Sequence, residues 1–442
     1  MTDKLIQRAV DLISIPSETP FGENINEKFE YCEQALDYLE DILKAMNAKT
    51  QRMVFEGGHP KWPYPVPNLY AEIEIGKYKE SDPFLVYMGH IDVVPVGDLS
   101  QWKHSPFDAS ICHGFIYGRG ATDMKTSVTT FITSAEQAIK DKTLEGKNLK
   151  IGFIITGDEE WAAINGSKKV LEFMKNNDKN PTAFIVGEPS SPDYLKDYIK
   201  VGRRGSLIGS LKVTGIQGHR AYKELYSNPN RPLNFALNLL NSIQWNDGNE
   251  YLPNTDFEVV ALDAGSENAT AIIPSQAKAT WGIRYTDKTS AEELEVTLNN
   301  ALNDIPDYLK NHPDYEIYKE FKENNKIELV CNLSTASIPY FSVPNKLAYS
   351  AKKAMKSVLN HTPIFDSSGG TTDARFVHSF YPNAEIIELG VPEKGGIVDG
   401  KTPTSYGTQG GMHQVNESVA IQDVYDLAKI YQKTLEIYAK ED

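Results

Sequence analysis

Leu149-Lys150-Ile151-Gly152-Phe153-Ile154-Ile155 runs directly into Thr156-Gly157-Asp158-Glu159-Glu160. The apolar run has the length of a buried strand. Asn165-Gly166-Ser167 then leads into Lys168 to Phe173, which reads as a helix with a capping residue ahead of it. Two adjacent glutamates therefore stand at the carboxyl end of a strand, where open α/β sheets place their chemistry. Neighbouring side chains diverge there, so one carboxylate could bind a metal while the other handles protons. Taken alone, the stretch reads more simply as a solvated acidic turn.

Other strand ends change that balance. Phe84-Leu85-Val86-Tyr87-Met88-Gly89 is an apolar run ending in His90-Ile91-Asp92, and alternate strand residues share a face, so Asp92 is expected to hold His90. Gly118-Arg119-Gly120-Ala121-Thr122-Asp123-Met124-Lys125 puts an aspartate at the start of a helix-like segment. Ala183 to Gly187 is a short strand ending in Glu188, and Gly410-Gly411-Met412-His413 follows a glycine-rich loop. His, Asp and Glu in this mixture suit paired zinc ions that share a bridging carboxylate and water.

With these motifs in view, the chain resembles the dinuclear zinc aminoacylase and carboxypeptidase superfamily. Gly202-Arg203-Arg204-Gly205-Ser206, Gly215-Ile216-Gln217-Gly218-His219-Arg220-Ala221-Tyr222 and Gly369-Gly370-Thr371-Thr372-Asp373-Ala374-Arg375-Phe376 make it most similar to the desuccinylase family within that superfamily. The resemblance covers nearly the whole chain.

Composition sets outer bounds. A length of 442 residues suggests two or three domains. A net charge of −15 argues against non-specific binding to nucleic acid or to an anionic membrane. It also means that an anionic substrate needs a local arginine cluster. The three cysteines, Cys32, Cys112 and Cys331, are far apart and form no disulfide framework or CxxC site, which fits a reducing cytoplasm. Met1 to Leu5 lacks a signal-peptide core, and no stretch has the apolar length of a membrane span.

Along the chain, Leu5 to Leu12 and Asn26 to Met46 read as helices, the second with Leu36, Leu39, Leu43 and Met46 in an apolar stripe. Gly57 to Pro65 is a proline-rich loop in which His59 reads as an ordinary loop residue. Asn68 to Ile75 and Phe84 to Gly89 are strands, and Met124 to Ile139 is a helix. This alternation indicates an α/β sheet with helices on both faces. After Glu188 the pattern changes. Ser206 to Thr214, Asp256 to Leu262, Gln276 to Tyr285 and Lys326 to Cys331 read as strands, with helices at Pro232 to Ile243 and Ser290 to Leu302. The order β-α-β-β-α-β describes a ferredoxin-like unit. The chain then returns to α/β, with helices at Lys346 to Leu359 and Val419 to Tyr438. The expected fold is therefore an α/β catalytic domain of the zinc-peptidase type, residues 1–204 and 338–442, with an inserted ferredoxin-like α+β domain at 205–337. The loop Val391 to Met412 is expected to be either functional or poorly ordered.

The resemblance implies roles. Asp123 bridges two zinc ions, with cobalt able to substitute at one site. His90 and Glu188 complete one site, and Glu160 and His413 the other. Glu159 is the general base, and Asp92 orients His90. His219 donates a hydrogen bond to the oxyanion, and Arg203, Arg284, Arg375, Ser206, Tyr222, Gly370, Thr371 and Gln409 form a pocket for a carboxylate-rich small molecule. The inserted domain carries the interface of a homodimer. Two positions depart from the family pattern: Ala271 and Gln409 stand where asparagines are usual. The metal set does not distinguish a desuccinylase from an acetylornithine deacetylase-like enzyme, another N-acyl-amino-acid deacylase or a dipeptidase. A non-catalytic binding scaffold is the remaining alternative, and it has no need of Glu159.

Overall fold

Phe84–His90 is buried at every position. Side chains on both of its faces must therefore be covered, and in the computed structural model this strand lies inside an eight-stranded sheet. The structure describes residues 2–20, 24–58 and 64–440. The middle of the expected proline-rich loop, including His59, lies outside the described residues.

The chain divides into two compact units. The first comprises Met1–Gly202, Ser342–Asp366 and Thr372–Asp442. Its sheet runs in the order Lys49–Phe55, Val66–Ile75, Leu149–Thr156, Phe84–His90, Ala183–Val186, Glu385–Glu388, Tyr198–Lys200, Ile364–Asp366. The central pairs, from Leu149–Thr156 through Glu385–Glu388, are parallel, and the two pairs at the Lys49 edge are antiparallel. The helices Thr2–Ile13, Lys125–Lys140, Lys346–Leu359 and Ile421–Tyr438 pack on one another, while Ser167–Asn176 packs on Ala374–Phe380. An aromatic cluster joins sheet to helix: the Tyr87 and Phe131 rings stack at 4.3 Å, and Tyr431 meets Phe131 edge-on at 5.1 Å. Each such ring, fully buried, contributes roughly 1.5–3 kcal/mol.

One local expectation changes. Ser167 is the first residue of its helix, not its cap; Gly166 holds the cap position and no side chain caps it. Asn165 instead donates its side-chain amide to Gly57 O at 2.8 Å.

The second unit comprises Arg203–Phe341 and Ser367–Thr371. Its antiparallel sheet has the order Asp256–Asp263, Gln276–Tyr285, Gly205–Thr214, Ile327–Cys331. The central strands pair in register from Gly205↔Tyr285 to Thr214↔Gln276. Leu207, Leu211, Val213, Ala279, Trp281 and Ile283 are buried in one core with the helices, so alternate residues of both strands pack on one face. The helix Ala291–Ala301 starts with a capping box, Ser290 with Glu293. A further helix, Tyr315–Glu323, buries Tyr318 and Phe321.

Candidate metal centre

Two glycines bring the site together. Gly89 and Gly187 each immediately precede a candidate ligand, and a Cβ on either would meet Met124 Cε, at 2.9 and 2.6 Å. On Gly187 it would also lie 1.8 Å from the Tyr87 hydroxyl. The absence of a side chain lets the start of the Lys125–Lys140 helix press against both strand ends, which sets His90 and Glu188 beside Asp123. The Asp123-Met124 peptide is cis.

His90 is buried, and its Nδ1 donates to the Asp92 carbonyl oxygen at 2.8 Å. That bond fixes the tautomer and turns Nε2 toward Asp123 Oδ1 at 3.1 Å and Glu188 Oε1 at 3.8 Å. The Asp92 carboxylate, at 3.7 Å from Nδ1, has a different task. It accepts the main-chain N–H of Glu159 at 3.2 Å and of Glu160 at 3.1 Å. The strand ends at His90, so residue 92 no longer follows its two-residue alternation. Asp92 therefore orients His90 through its main chain and the two glutamates through its side chain.

The three consecutive acids have separate surroundings. Asp158 turns back and accepts from the N–H groups of Ala163, Ile164 and Asn165 at 3.0–3.1 Å, closing the turn. Glu160 reaches His413 Nε2 at 3.1 Å, and His413 also lies 3.3 Å from Asp123 Oδ2. Glu159 offers an oxygen to a group with His90 and Glu188 in which all donor atoms lie within 4.8 Å of one another; His90, Asp123 and Glu160 form a second such group. Asp123 thus lies between His90 and His413, with one oxygen toward each.

The electrostatics fit a divalent cation pair. Burial and the neighbouring Asp123 charge push Glu160 up to about 7 and raise Glu188 well above the usual carboxylate range. Burial, then the Asp373 charge, raises Glu159 in the same way. Burial opposes the Asp123 charge too, but hydrogen bonds from His413 and His90 outweigh it and hold that carboxyl low. His413 is raised to about 10 by its bonds to Asp123 and Glu160. Carboxylates crowded this closely call for positive charge. Imidazole and carboxylate donors with no thiolate suit a catalytic site better than a closed structural one. The residues present fit two such ions.

The other candidate residues are divided between the two units. His219, Arg203, Ser206, Tyr222, Arg284, Gly370 and Thr371 belong to the second unit. His219 is exposed on the short Gly218–His219 strand, with Nδ1 accepting from Ala221 N at 3.2 Å. Arg203 is buried and donates to Ser368 O at 2.6 Å. Arg375 is in the first unit, and its guanidinium already bonds Thr372 O at 2.9 Å and lies 3.6 Å from Asp373. Gln409 is exposed.

Several residues at the site carried no assigned role in the sequence reading. Asp373 lines the same small cavity as His90, Glu159 and Glu188, with its carboxyl pushed up to about 6 by burial. Arg119 and Glu417 are fully buried as an ion pair beside Asp123. Asp373 and Arg119 stand inside quoted motifs, so the signal was present without an assignment. Glu417, four residues past His413, had none.

The sequence profile of Peptidase family M20/M25/M40 matches residues 86–437. A protein of Psychrobacter arcticus named succinyl-diaminopimelate desuccinylase is 35% identical over 371 residues, 84% of this chain and 81% of that one. Among solved structures, an M20 metallo-carboxypeptidase of Sulfolobus solfataricus superposes with a TM-score of 0.68 at 19% identity, covering 99% of each chain. A dinuclear metal-binding M20 peptidase of Bacillus subtilis superposes at 0.59 and 15% identity, covering 99% of this chain and 98% of its own. By the extent of the profile match and the identity to that relative, the chain belongs to peptidase family M20/M25/M40.

Proposed function

We infer that this chain is an amide hydrolase that converts N-succinyl-LL-2,6-diaminopimelate and water to succinate and LL-2,6-diaminopimelate. The observation that carries the hydrolase reading is the convergence of His90, Glu159, Glu160 and Glu188, at the ends of adjacent strands, on Asp123 at the start of a helix. The substrate reading rests on the 35% identity to the desuccinylase of Psychrobacter arcticus and on the arginine-rich motifs.

Asp123 would bridge two zinc ions, with His90 and Glu188 completing one site, Glu160 and His413 the other, and cobalt able to replace zinc at one of them. When bound, such ions polarise the scissile carbonyl and make water a stronger nucleophile at neutral pH. Glu159 takes the proton of the attacking water and later gives it to the leaving amine nitrogen. The desolvation of its carboxyl favours this, because a carboxyl raised above its ordinary range is the stronger base. His219 donates to the developing oxyanion. Arg203 and Arg284 match the substrate's carboxylates with their planar forks, assisted by Ser206, Tyr222, Gly370, Thr371 and Arg375.

The catalytic domain is assigned to 1–204 and 338–442 and the dimerisation domain to 205–337, with His219 serving the neighbouring subunit of a homodimer. The enzyme is assigned to the cytoplasm; among the described residues no helix is long and apolar enough to cross a membrane.

Purified protein assayed against succinyl-diaminopimelate, acetylornithine and dipeptides tests the substrate. Turnover of the first alone is expected, and preference for either of the others reassigns the enzyme within its family. Glu159→Gln tests the mechanism: both metal equivalents are retained and nearly all turnover is lost, because an amide cannot accept the proton. Loss of a metal equivalent would make Glu159 a ligand instead.

A further inference from the structure

The buried Arg119–Glu417 pair is more than a salt link. The Nη1 of Arg119 donates to Glu417 Oε2 at 2.5 Å, and the pair is 2% and 0% exposed. The other carboxylate oxygen, Oε1, accepts main-chain N–H groups from Gly120 at 3.1 Å, Thr122 at 2.9 Å and Asp123 at 3.0 Å. The guanidinium also donates to Gln414 O at 3.2 Å and His413 O at 3.4 Å, and to Pro95 O at 3.3 Å. The Trp102 ring covers it at 5.4 Å. Two further bonds, Gly118 N to Glu417 O at 2.8 Å and the Thr122 hydroxyl to Ser418 O at 2.6 Å, run alongside.

A buried ion pair is a poor means of gaining stability, since the cost of removing both charges from water largely cancels their attraction. This pair instead fixes geometry. One carboxylate holds the backbone on which Asp123 stands, and the guanidinium bound to it holds the carbonyls of His413 and the next residue. The segments are nearly 300 residues apart in sequence, and each of the two paired side chains binds the main chain of the segment the other stands on.

We propose that Arg119 and Glu417 are positioning residues that lock the bridging aspartate to the distal histidine, so that the affinity for the second cation, the one held by Glu160 and His413, depends on this clamp. The proposal rests on the two-metal reading above. It assigns Arg119 mainly to the His413 side and Glu417 to both sides.

The test uses full-length metal-free protein titrated with Co2+, followed by visible absorption and calorimetry, and then with Zn2+ in competition. Wild type is expected to bind two equivalents. Arg119→Lys keeps the charge and loses the fork, and should weaken one equivalent by about 10- to 100-fold, the usual effect of removing an outer partner of a metal ligand. It should leave the other equivalent and the melting temperature of the metal-free protein unchanged. Glu417→Gln should weaken both equivalents; where that variant fails to fold, Arg119→Lys decides alone. Wild-type affinities in Arg119→Lys would overturn the clamp while leaving the metal site intact. Weakened binding that only tracks a fall in the metal-free melting temperature would assign the pair to stability and overturn it as well. Failure of wild type to bind either metal would instead sink the two-metal reading, and the clamp with it.

Discussion

Gly187→Ala adds one methyl group to a strand end with no room for it. The new Cβ would lie 1.8 Å from the Tyr87 hydroxyl and 2.6 Å from both Tyr87 Cζ and Met124 Cε. Tyr87 is 0% exposed, stacked on Phe131, with Tyr431 edge-on at 6.1 Å, so its ring has little freedom to withdraw. Overpacking of a closed core by one or two carbons costs about 1–3 kcal/mol. Contacts this short with a ring held on both sides place Gly187→Ala at the upper end, about 3 kcal/mol. Urea denaturation of the metal-free protein measures this directly. Tyr87→Phe removes the nearest atom but leaves the 2.6 Å contacts, so the double variant should cost less than the sum of the single ones, by about 0.5 kcal/mol or more, yet remain below wild type. Any displacement of the strand also moves Glu188, so metal affinity should fall with stability. A Gly187→Ala protein within about 0.5 kcal/mol of wild type would refute the view that this glycine is required by packing.

Three other outcomes are expected. Glu136 ties the first helix to the third: burial pushes its carboxyl up, but hydrogen bonds from Lys140 and Lys4 and the charge of Arg8 outweigh this and leave it at about 2. Its stabilising effect is therefore complete above the ordinary carboxyl range and lost as pH falls toward 2, so Glu136→Gln should cost roughly 1–3 kcal/mol at pH 7 and progressively less below pH 4, measured by denaturation across pH. Mixing inactive Glu159→Ala and His219→Ala proteins under subunit exchange should restore roughly a quarter of wild-type activity if the dimer is two-fold and His219 serves its neighbour; no recovery, with exchange verified by mass spectrometry, would put His219 in its own subunit's site. In and beside the loop 391–412, hydrogen exchange should be slow at Gly395 and Met412, whose N–H groups donate to Pro392 O and Glu393 O, and at Ser418 and Ala420, which donate to the carbonyls of Gly410 and Gly395, and fast at the exposed Asp399 and Gly400; uniform rapid exchange would return the loop to the wholly mobile state that its glycine content suggests.

What the sequence revealed follows from where its signals are local. Phe84–His90 and Leu149–Thr156 are continuous apolar runs, and central parallel strands demand this. Lys49–Phe55 escaped because it is an edge strand whose exposed positions carry Lys49, Gln51 and Val54. Tyr198–Lys200 and Ile364–Asp366 are three-residue strands defined by their partners rather than by a pattern. The helix Tyr315–Glu323 hides its two buried aromatics among charges. The acids and histidines gathered at the site were legible because each follows a strand or a glycine-rich turn. The division of labour at Asp92 was not, because a main-chain carbonyl leaves no trace in residue identity. The Arg119–Glu417 pair was not, because a buried charge pair spanning nearly 300 residues has no periodicity.

The histidine at 413 has a consequence in time. Asp123, Glu160 and Glu188 leave the ribosome early, whereas His413 and Glu417 follow only after the entire second unit has been made. About 225 residues separate Glu188 from His413, which at ordinary synthesis rates is roughly 10–45 seconds. Throughout that interval the nascent chain carries a crowd of acids without the imidazole and the buried carboxylate proposed to arrange them. If the ligands are those proposed above, ion capture by the complete site would be a record of finished synthesis, and a chain interrupted before residue 413 would leave the ribosome with half a centre.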